Sequence, residues 1–312
     1  MMMADREAAW VAPFKLWVAG ARPRTLIAAA VPVAVGIALV SGRHSGAVSL
    51  AHDLNPNQWL RAFLALLVSI GMQIGVNYAN DYSDGVAGRD RNRTGPLRLT
   101  ASGSVPSRQV ALAAALSIAI AGICGLILAA MIDQWWILIV GAIAGIAAVG
   151  YSGGPRPYAS LGFGELFVFI FFGVVATVGS AYVIGGGSIY WVEALVASIP
   201  VGMLAVAILQ ANNLRDIEGD SRENKLTLAV RLGRRRAGLV YVGVLFCAVV
   251  GVVLLSMYRP WVLLALVGFV ATRKNVSLAL SSSTGRDLLP LLGSTALLEM
   301  LAGLLIVVGL LI

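Results

Sequence analysis

Nine long runs of apolar residues constrain the fold of this chain more than any other feature of its sequence. Each run approaches the ~20 apolar residues that a helix needs to cross the hydrocarbon core of a membrane. The runs cover residues 24–41, 60–80, 109–131, 135–151, 164–186, 190–212, 238–257, 260–277 and 288–311. Of the 312 residues, 59% are hydrophobic and only 12% are charged, which is too few polar groups for the surface of a soluble domain. The sequence therefore predicts an all-α integral membrane protein with nine transmembrane helices.

The segment ahead of the first run, residues 1–23, has the pattern of a helix that lies at the membrane surface. Trp10, Phe14 and Trp17 fall on its apolar side, which suits burial in the interface between lipid and water. No linker, low-complexity tract or separate soluble region is visible in the rest of the sequence. Residues 1–312 are therefore predicted to form a single transmembrane domain.

The basic residues between the runs predict the orientation of the chain in the membrane. Twenty of the 23 Lys and Arg residues lie in the N-terminal segment and in the loops after the second, fourth, sixth and eighth runs. Because cytoplasmic loops are enriched in Lys and Arg, the N-terminus is predicted to be cytoplasmic and the C-terminus to lie outside. This bias also accounts for the net charge of +8, so the charge does not indicate a nucleic-acid partner.

Two polar clusters follow the second and sixth runs, with the sequences NYANDYSDGVAGRD and QANNLRDIEGDSRENK. Helical spacing of three and four residues puts the polar positions of each cluster on one helix face. These positions are Asn77, Asn80, Asp81 and Asp84 in the first cluster, and Gln210, Asn213, Asp216 and Asp220 in the second. Since both runs are even-numbered, both clusters are expected at the same depth on the cytoplasmic side.

Seven of the fifteen carboxylates of the chain lie in these two segments. Solvation of helix ends is one explanation, but it accounts poorly for acids at the negative end of two helix dipoles. A cation carrier is a second explanation, although carrier sites usually lie near the bilayer midplane on broken helices. Oxygen ligands with interleaved Arg and Lys suit Mg²⁺ that bridges to a phosphorylated substrate. We therefore expect a magnesium and phosphate site between the clusters.

These motifs resemble those of the UbiA superfamily of intramembrane aromatic prenyltransferases. The superfamily has N-D-x-x-D after its second helix and D-x-x-x-D after its sixth, and this chain has Asn80-Asp81-Tyr82-Ser83-Asp84 and Asp216-Ile217-Glu218-Gly219-Asp220. The branch that prenylates 1,4-dihydroxy-2-naphthoate in menaquinone biosynthesis also resembles TGPLRLTASG, YSGGPRPYASLGFGE and NNLRDIEGDSRENKLTLAVRLG. One departure is Gly88, where many members have a third acid; the next acid here is Asp90.

The resemblance implies an enzyme of the bacterial cytoplasmic membrane whose active site faces the cytoplasm. It implies Mg²⁺-dependent transfer of a polyprenyl group from a polyprenyl diphosphate to 1,4-dihydroxy-2-naphthoate, with decarboxylation, giving demethylmenaquinone and pyrophosphate. Another aromatic acceptor such as 4-hydroxybenzoate is the alternative within the superfamily. The implied partners are these two substrates and the lipid bilayer, with no obligatory protein partner and no nucleic acid.

The resemblance also implies roles for particular residues. The implied metal ligands are Asp81, Asp84, Asp90, Asp216 and Asp220. The implied catalytic residues are Asp84, Asp216, Asp220 and Tyr151, whose ring could face an allylic cation. The implied substrate-binding residues are Asn77, Asn80, Asn213, Arg91, Arg98 and Lys225.

Overall fold

The computed structural model describes residues 14–41, 54–88, 98–151, 153–154 and 157–312. Within these ranges the chain forms helices joined by turns, and no strand is present. The helices, numbered in chain order, are α1 (Phe14–Ala21), α2 (Ile27–Ser41), α3 (Pro56–Val86), α4 (Ser107–Ile132), α5 (Ile137–Gly150), α6 (Gly164–Ile184), α7 (Trp191–Arg222), α8 (Leu228–Leu232), α9 (Arg234–Ser256), α10 (Leu266–Phe269), α11 (Arg273–Leu280) and α12 (Leu289–Leu311). The predicted all-α fold class is confirmed.

In the part of the chain that the structure describes, six helices are long and apolar enough to cross a membrane, namely α3, α4, α6, α7, α9 and α12. A seventh candidate is the pair Pro260–Phe269 and Arg273–Leu280, whose halves meet at a bend of 53°. The shorter apolar helices α2 and α5 lie at the first and fourth predicted runs. Each of the nine runs thus has apolar helix at its position, while the count of nine crossings and the orientation stay predictions.

The long helix α7 lies at the centre of the bundle and has the largest buried share of the long helices. Its buried side chains form one apolar core with those of α9 and α12. On another side α7 crosses α6 at two glycines, because a Cβ on Gly173 would lie only 2.6 Å from the Cα of Gly202. At this crossing α6 adopts a π-helical turn, Phe169–Val175. The bundle is therefore held at this point by direct approach of two backbones.

Local signals in the sequence fix where α3 begins. The Asn55 side chain accepts a hydrogen bond from the Gln58 backbone N–H (3.0 Å), and the Gln58 side chain accepts one from the Asn55 N–H (2.9 Å). This reciprocal capping box is followed by Pro56 at the first helical position, where proline is favoured. The helix then continues to Val86, so both Asp81 and Asp84 lie within its last two turns.

The chain turns back on itself where α7 ends, and this turn positions Lys225. Asn224 adopts the left-handed conformation with φ 55°. The Lys225 N–H donates to the Asp220 carbonyl (2.8 Å), and the Asn224 N–H donates to the Ser221 carbonyl (3.3 Å). These two bonds define a Schellman motif, in which Asn replaces the more common Gly. The motif folds Lys225 back over the last turn of α7.

The crossing of α6 and α7 predicts opposite effects for two glycine substitutions. In Gly202→Ala the new Cβ would lie 2.9 Å from the Gly173 Cα and 2.8 Å from the Phe169 ring. Such overpacking typically costs about 1–3 kcal/mol. Gly243→Ala in α9 is the control, because nothing lies within 4 Å of its new Cβ and Ala is the better helix former.

Thermal unfolding in lipid nanodiscs should therefore give a lower midpoint for Gly202→Ala and an unchanged or higher midpoint for Gly243→Ala. Equal midpoints for the two variants would contradict the close crossing.

Candidate active site

A cavity of about 710 Å³ lies among α3, α4, α5, α6 and α7. Most of its walls are aliphatic, glycine and aromatic residues. The end where α3 and α7 terminate carries the polar side chains of Arg22, Thr25, Gln73, Asn77, Asn80 and Asn212, and Ser69 and Ser180 are further polar residues of the wall. The opposite end carries Trp136, Tyr182 and Trp191, whose rings contact one another in series at centroid distances of 5.3 and 5.5 Å. The cavity therefore suits an elongated molecule that is polar at one end and apolar along the rest.

Lys225 brings the two acidic clusters together. Its Nζ lies 3.8 Å from Oδ2 of Asp84 on α3 and 4.0 Å from Oδ1 of Asp220 on α7. Asp84 also pairs with Arg98, whose Nη2 lies 3.3 Å from the same Oδ2. Both Asp84 and Arg98 are buried. Side chains from two distant parts of the chain thus converge on one ammonium group.

This donor set fits a divalent cation. Oxygens from two helices already point at a positive charge, and hard oxygen donors are the ligands that Mg²⁺ prefers. Asn80 lies one turn before Asp84 and adds an amide at the same end of the cavity. Among the described residues, which omit 89–97, no three His, Cys, Asp or Glu side chains form a complete protein cage. Mg²⁺ needs no such cage, since it usually takes one or two carboxylates, with waters and phosphate oxygens completing its shell.

Asp216 has a partner of its own. The Nε and Nη2 atoms of Arg215 each lie 2.7 Å from one of the two carboxylate oxygens of Asp216. The pair is bidentate, and the Arg215 side chain is fully buried. In the sequence Arg215 is only one of the basic residues after the sixth run, and the pair with Asp216 was not predicted. The available signal was an Arg directly before a motif Asp, at a position where the helix is still buried. The metal-binding role of Asp216 stays a prediction.

Asp81 holds a loop against α3. Its Oδ2 accepts from the Leu99 N–H (2.7 Å) and its Oδ1 accepts from the Thr100 N–H (2.8 Å). Both oxygens of this buried carboxylate are thus engaged by backbone. This contact places the neighbouring Arg98 beside Asp84. The predicted metal contact of Asp81 is not tested by this geometry and stays a prediction.

Asn77 and Asn80, predicted to bind substrate, both line the cavity. The Asn77 Nδ2 donates to the Ala21 carbonyl (2.9 Å) and to the Thr25 hydroxyl (3.2 Å). Asn77 therefore holds the turn between α1 and α2 against α3. A substrate contact of either amide stays a prediction.

Asn213 lies beside a carboxylate from another helix. Its Nδ2 donates to Glu165 Oε1 (2.9 Å), which also accepts from Gln210 Nε2 (3.0 Å). Two amides of α7 thus fix the first acid of α6 at the polar end of the bundle. Which acid these amides contact could not be predicted from the sequence, because α6 and α7 are paired only in the folded chain.

Tyr151 lines the cavity at the end of α5. Its ring meets Tyr158 edge to face, with centroids 5.5 Å apart, and Tyr158 in turn stacks on Phe167 at 4.0 Å. The Tyr158 hydroxyl donates to the Ala147 carbonyl (2.7 Å), and burial raises the pKa of this phenol, so the donated proton is retained. Tyr151 lies within electrostatic range of Asp220. The Tyr151 ring is thus part of the cavity wall. Two further predicted residues, Asp90 and Arg91, lie outside the described residues.

Comparison with known proteins identifies the protein family that has this fold and these motifs. Residues 29–286 match the UbiA prenyltransferase family, and the chain belongs to this family. The predicted resemblance is therefore confirmed, and the protein is a prenyltransferase.

Two relatives show how far the similarity extends. The chain is 42% identical to the 1,4-dihydroxy-2-naphthoate octaprenyltransferase of Mycobacterium tuberculosis, over 92% of this chain and 94% of the relative. It is 32% identical to the Escherichia coli protein of the same name, over 94% of each chain.

Solved structures share the fold at low sequence identity. The apo structure of a UbiA homolog from Aeropyrum pernix K1 superposes with a TM-score of 0.64 at 18% identity, covering 91% of this chain and 96% of that one. A UbiA homolog from Archaeoglobus fulgidus, bound to DMAPP and Mg²⁺, gives 0.54 at 16% identity, covering 93% and 98%. These similarities support the helical architecture.

The Arg215–Asp216 pair predicts a large coupling energy. Arg215→Met leaves the Asp216 carboxylate buried without its guanidinium, and breaking a buried pair in this way typically costs about 3–5 kcal/mol. Adding Asp216→Asn removes the negative charge that this guanidinium balanced and should recover much of that loss. Arg222→Met is the control, because Arg222 is 77% exposed and its pair with Glu218 is long at 3.4 Å.

The free energies of unfolding of the wild type, both single variants and the double variant give the coupling energy. A coupling energy near zero would contradict the bidentate pair.

Proposed function

We propose that this protein transfers a polyprenyl group from a polyprenyl diphosphate to 1,4-dihydroxy-2-naphthoate, in a Mg²⁺-dependent reaction in the bacterial cytoplasmic membrane. One observation carries the proposal: Asp84 of α3 and Asp220 of α7 converge on one cationic group, and Asn80, one turn before Asp84, lines the polar end of an apolar cavity. The names of the relatives in M. tuberculosis and E. coli support the naphthoate acceptor.

The polar end of the cavity suits the diphosphate of the donor. Asp84 and Asp220 would hold Mg²⁺, with Asp216, Asp81 and Asp90 as further proposed ligands. When bound, the metal supplies a Lewis acid that stabilises negative charge on the leaving pyrophosphate. Arg98 and Lys225 add positive charge at the same place, since both contact Asp84. The apolar walls receive the isoprenoid chain and keep water from the reacting carbon.

The reaction breaks the allylic C–O bond of the donor, and both electrons leave with the pyrophosphate oxygen. The face of Tyr151 stabilises the positive charge that remains on the allylic carbon. The ring carbon of the acceptor that bears the carboxylate forms the new C–C bond. Its bond to the carboxyl carbon then breaks, CO₂ leaves, and the electron pair restores the aromatic ring. The products are pyrophosphate, CO₂ and demethylmenaquinol, whose oxidised form is demethylmenaquinone.

Two other functions use the same residues differently. A different aromatic acceptor, such as 4-hydroxybenzoate, would leave the donor chemistry unchanged. A cation carrier would use the acids as an ion path, but here Arg98, Arg215 and Lys225 pair with those acids. This interleaving of both charges favours an anionic substrate that binds together with a metal.

The function is tested on membranes supplied with a labelled prenyl diphosphate and a choice of acceptors. We expect labelled prenyl product with 1,4-dihydroxy-2-naphthoate and no labelled product with 4-hydroxybenzoate. When the naphthoate is labelled at its carboxyl carbon instead, we expect release of labelled CO₂. Excess EDTA should stop the reaction and Mg²⁺ should restore it. Transfer to 4-hydroxybenzoate alone would overturn the acceptor, and undiminished transfer in EDTA would overturn the metal requirement.

Two acids of α7 that are two residues apart provide a matched pair of variants for the same assay. Asp220→Asn removes a buried carboxylate from the proposed metal site and should lower transfer by about three orders of magnitude, or roughly 4 kcal/mol. Asp84→Asn should behave alike. Glu218→Gln alters a carboxylate that is 58% exposed and should leave transfer nearly unchanged.

Western blots of the membranes control for the amount of each variant. Near-normal turnover in well-inserted Asp220→Asn and Asp84→Asn would refute the metal site.

We also propose nine crossings with both acidic helix ends on the cytoplasmic side. Ser102 follows the loop held by Asp81, Ser221 lies in the last turn of α7, and both are exposed. A cysteine at either position should react with a membrane-impermeant maleimide in inside-out vesicles and not in intact cells. Reaction of one of them from outside would contradict the shared cytoplasmic site.

A further inference from the structure

Three aromatic rings in contact with one another line the apolar end of the cavity. Tyr182 of α6 lies between Trp136, directly before α5, and Trp191, the first residue of α7. Its ring is 5.3 Å from that of Trp136 and 5.5 Å from that of Trp191, measured between ring centroids. All three side chains line the cavity, at the end opposite the acids. We call these three rings the end wall.

Hydrogen bonds fix the orientation of the end wall. Oε1 of Gln134 accepts from Nε1 of Trp136 (3.0 Å) and from the Tyr182 hydroxyl (3.2 Å). The turn after α6 packs at the same place, because a Cβ on Gly187 would lie 3.5 Å from the Tyr182 hydroxyl oxygen and 3.6 Å from Cγ of Gln134. The Gly187 N–H also donates to the Tyr182 carbonyl (2.9 Å). The polar atoms of Trp136 and Tyr182 therefore have partners, and their rings are held in one arrangement.

Anchoring at the membrane interface is the other explanation for these rings, because Trp and Tyr are enriched there. It suits Trp135, which is 56% exposed. It accounts less well for Tyr182, which is buried, and for three rings that line one cavity. Among the described residues that line the cavity, Trp136 is present and its neighbour Trp135 is not. These two adjacent tryptophans therefore separate the two explanations.

The helices set the distance between the end wall and the polar end of the cavity. Asn80 of α3 lines the polar end, and Ala65, fifteen residues earlier, packs in the same apolar core as Tyr182. At a rise of about 1.5 Å per residue, this part of α3 spans about 22 Å. An extended isoprene unit adds four carbon–carbon bonds, or about 5 Å for bonds near 1.5 Å. An isoprenoid chain that starts at the polar end therefore reaches the end wall after about four units.

We propose that the end wall limits how far the isoprenoid chain of the donor extends into the cavity, so that its fourth unit contacts Trp136, Tyr182 and Trp191. The identity of the occupant rests on the proposed function. Further units of a longer chain lie outside the cavity, in lipid that is as apolar as the protein, so they add little to binding. The end wall is thus the part of the site that depends on donor length.

Photo-crosslinking measures this distance without prenyl transfer. The probes are prenyl diphosphate analogues of different length that carry a diazirine on the last isoprene unit and sulfur in place of the ester oxygen, which slows cleavage. They are irradiated with the purified full-length protein in nanodiscs containing Mg²⁺, and labelled residues are identified by mass spectrometry. The four-unit probe should label the end wall, and the six-unit probe should label it far less. The two-unit probe should label Phe172 and Val175, which line the cavity midway along α6.

A substitution at Gly179 should move the limit toward the polar end. Gly179 lies three residues before Tyr182 on α6 and lines the cavity, and no described atom lies within 4 Å of a Cβ placed there. In Gly179→Leu the new side chain therefore has room, and it occupies the space of the fourth unit. Equilibrium binding of the four-unit analogue should weaken about 10- to 100-fold relative to that of the two-unit analogue, as is typical of overpacking.

The two adjacent tryptophans provide a matched pair of variants for the crosslinking experiment. Trp136→Ala removes one ring of the end wall and makes room for a fifth unit. A five-unit probe, which should label Tyr182 weakly in the wild type, should then label Tyr182 and Gln134 as strongly as the four-unit probe labels the wild type. Trp135→Ala removes an exposed ring and should leave the labelling by every probe unchanged.

The outcomes separate the end wall from the proposed function. Equal labelling of the end wall by probes of all lengths, or a length dependence that Gly179→Leu leaves unchanged, would overturn the end wall. Identical effects of Trp135→Ala and Trp136→Ala would also overturn it, since they indicate a membrane anchor. A wild type that shows the expected labelling but transfers no prenyl group would overturn the proposed function alone. Prenyl transfer without labelling of the end wall would overturn the end wall alone, and absence of both labelling and transfer would overturn both.

Discussion

Buried negative charge at the ends of α3 and α7 is the constraint on which the rest of this site depends. Carboxylates are costly in a low-dielectric interior and unfavourable at the negative end of a helix dipole. Neighbouring groups compensate each of them: two backbone N–H groups for Asp81, Arg98 and Lys225 for Asp84, Arg215 for Asp216, and Lys225 again for Asp220. The loop at 98–100, the two helix ends and the Schellman turn are therefore organised around these acids.

Composition predicted the helical segments because lipid imposes the same apolar requirement on each of them. The fourth run was expected at 135–151, for example, and α5 covers Ile137–Gly150. The same reasoning could not predict how far α7 extends, because hydropathy falls near residue 212 while the helix continues to Arg222. Those last turns are stabilised by partners elsewhere in the fold. The bend at Val270–Thr272 also lacks a local signal such as proline.

The sequence predicted which polar residues share a helix face, and the parity of the runs placed both clusters at one end. It did not predict what each polar side chain contacts. Asn213 contacts an acid of α6, and Asn77 contacts a turn that precedes it by more than fifty residues. Such partners depend on helix packing, which periodicity does not encode. Helical spacing also makes Asp81 and Asp84 look equivalent, yet one binds backbone and the other binds basic side chains.

The balance of charge at the helix ends constrains how a diphosphate can enter. Four carboxylates meet three basic side chains there, which leaves one negative charge in excess among these residues. Both helix C-termini add further negative potential. Positive charge that enters together with a diphosphate, such as the proposed Mg²⁺, would reduce the repulsion between its phosphates and these carboxylates. Lys225 lies on a turn beyond the helix and carries its charge on a flexible stem, so a cation that replaced it between Asp84 and Asp220 would leave its ammonium group able to move to a new partner.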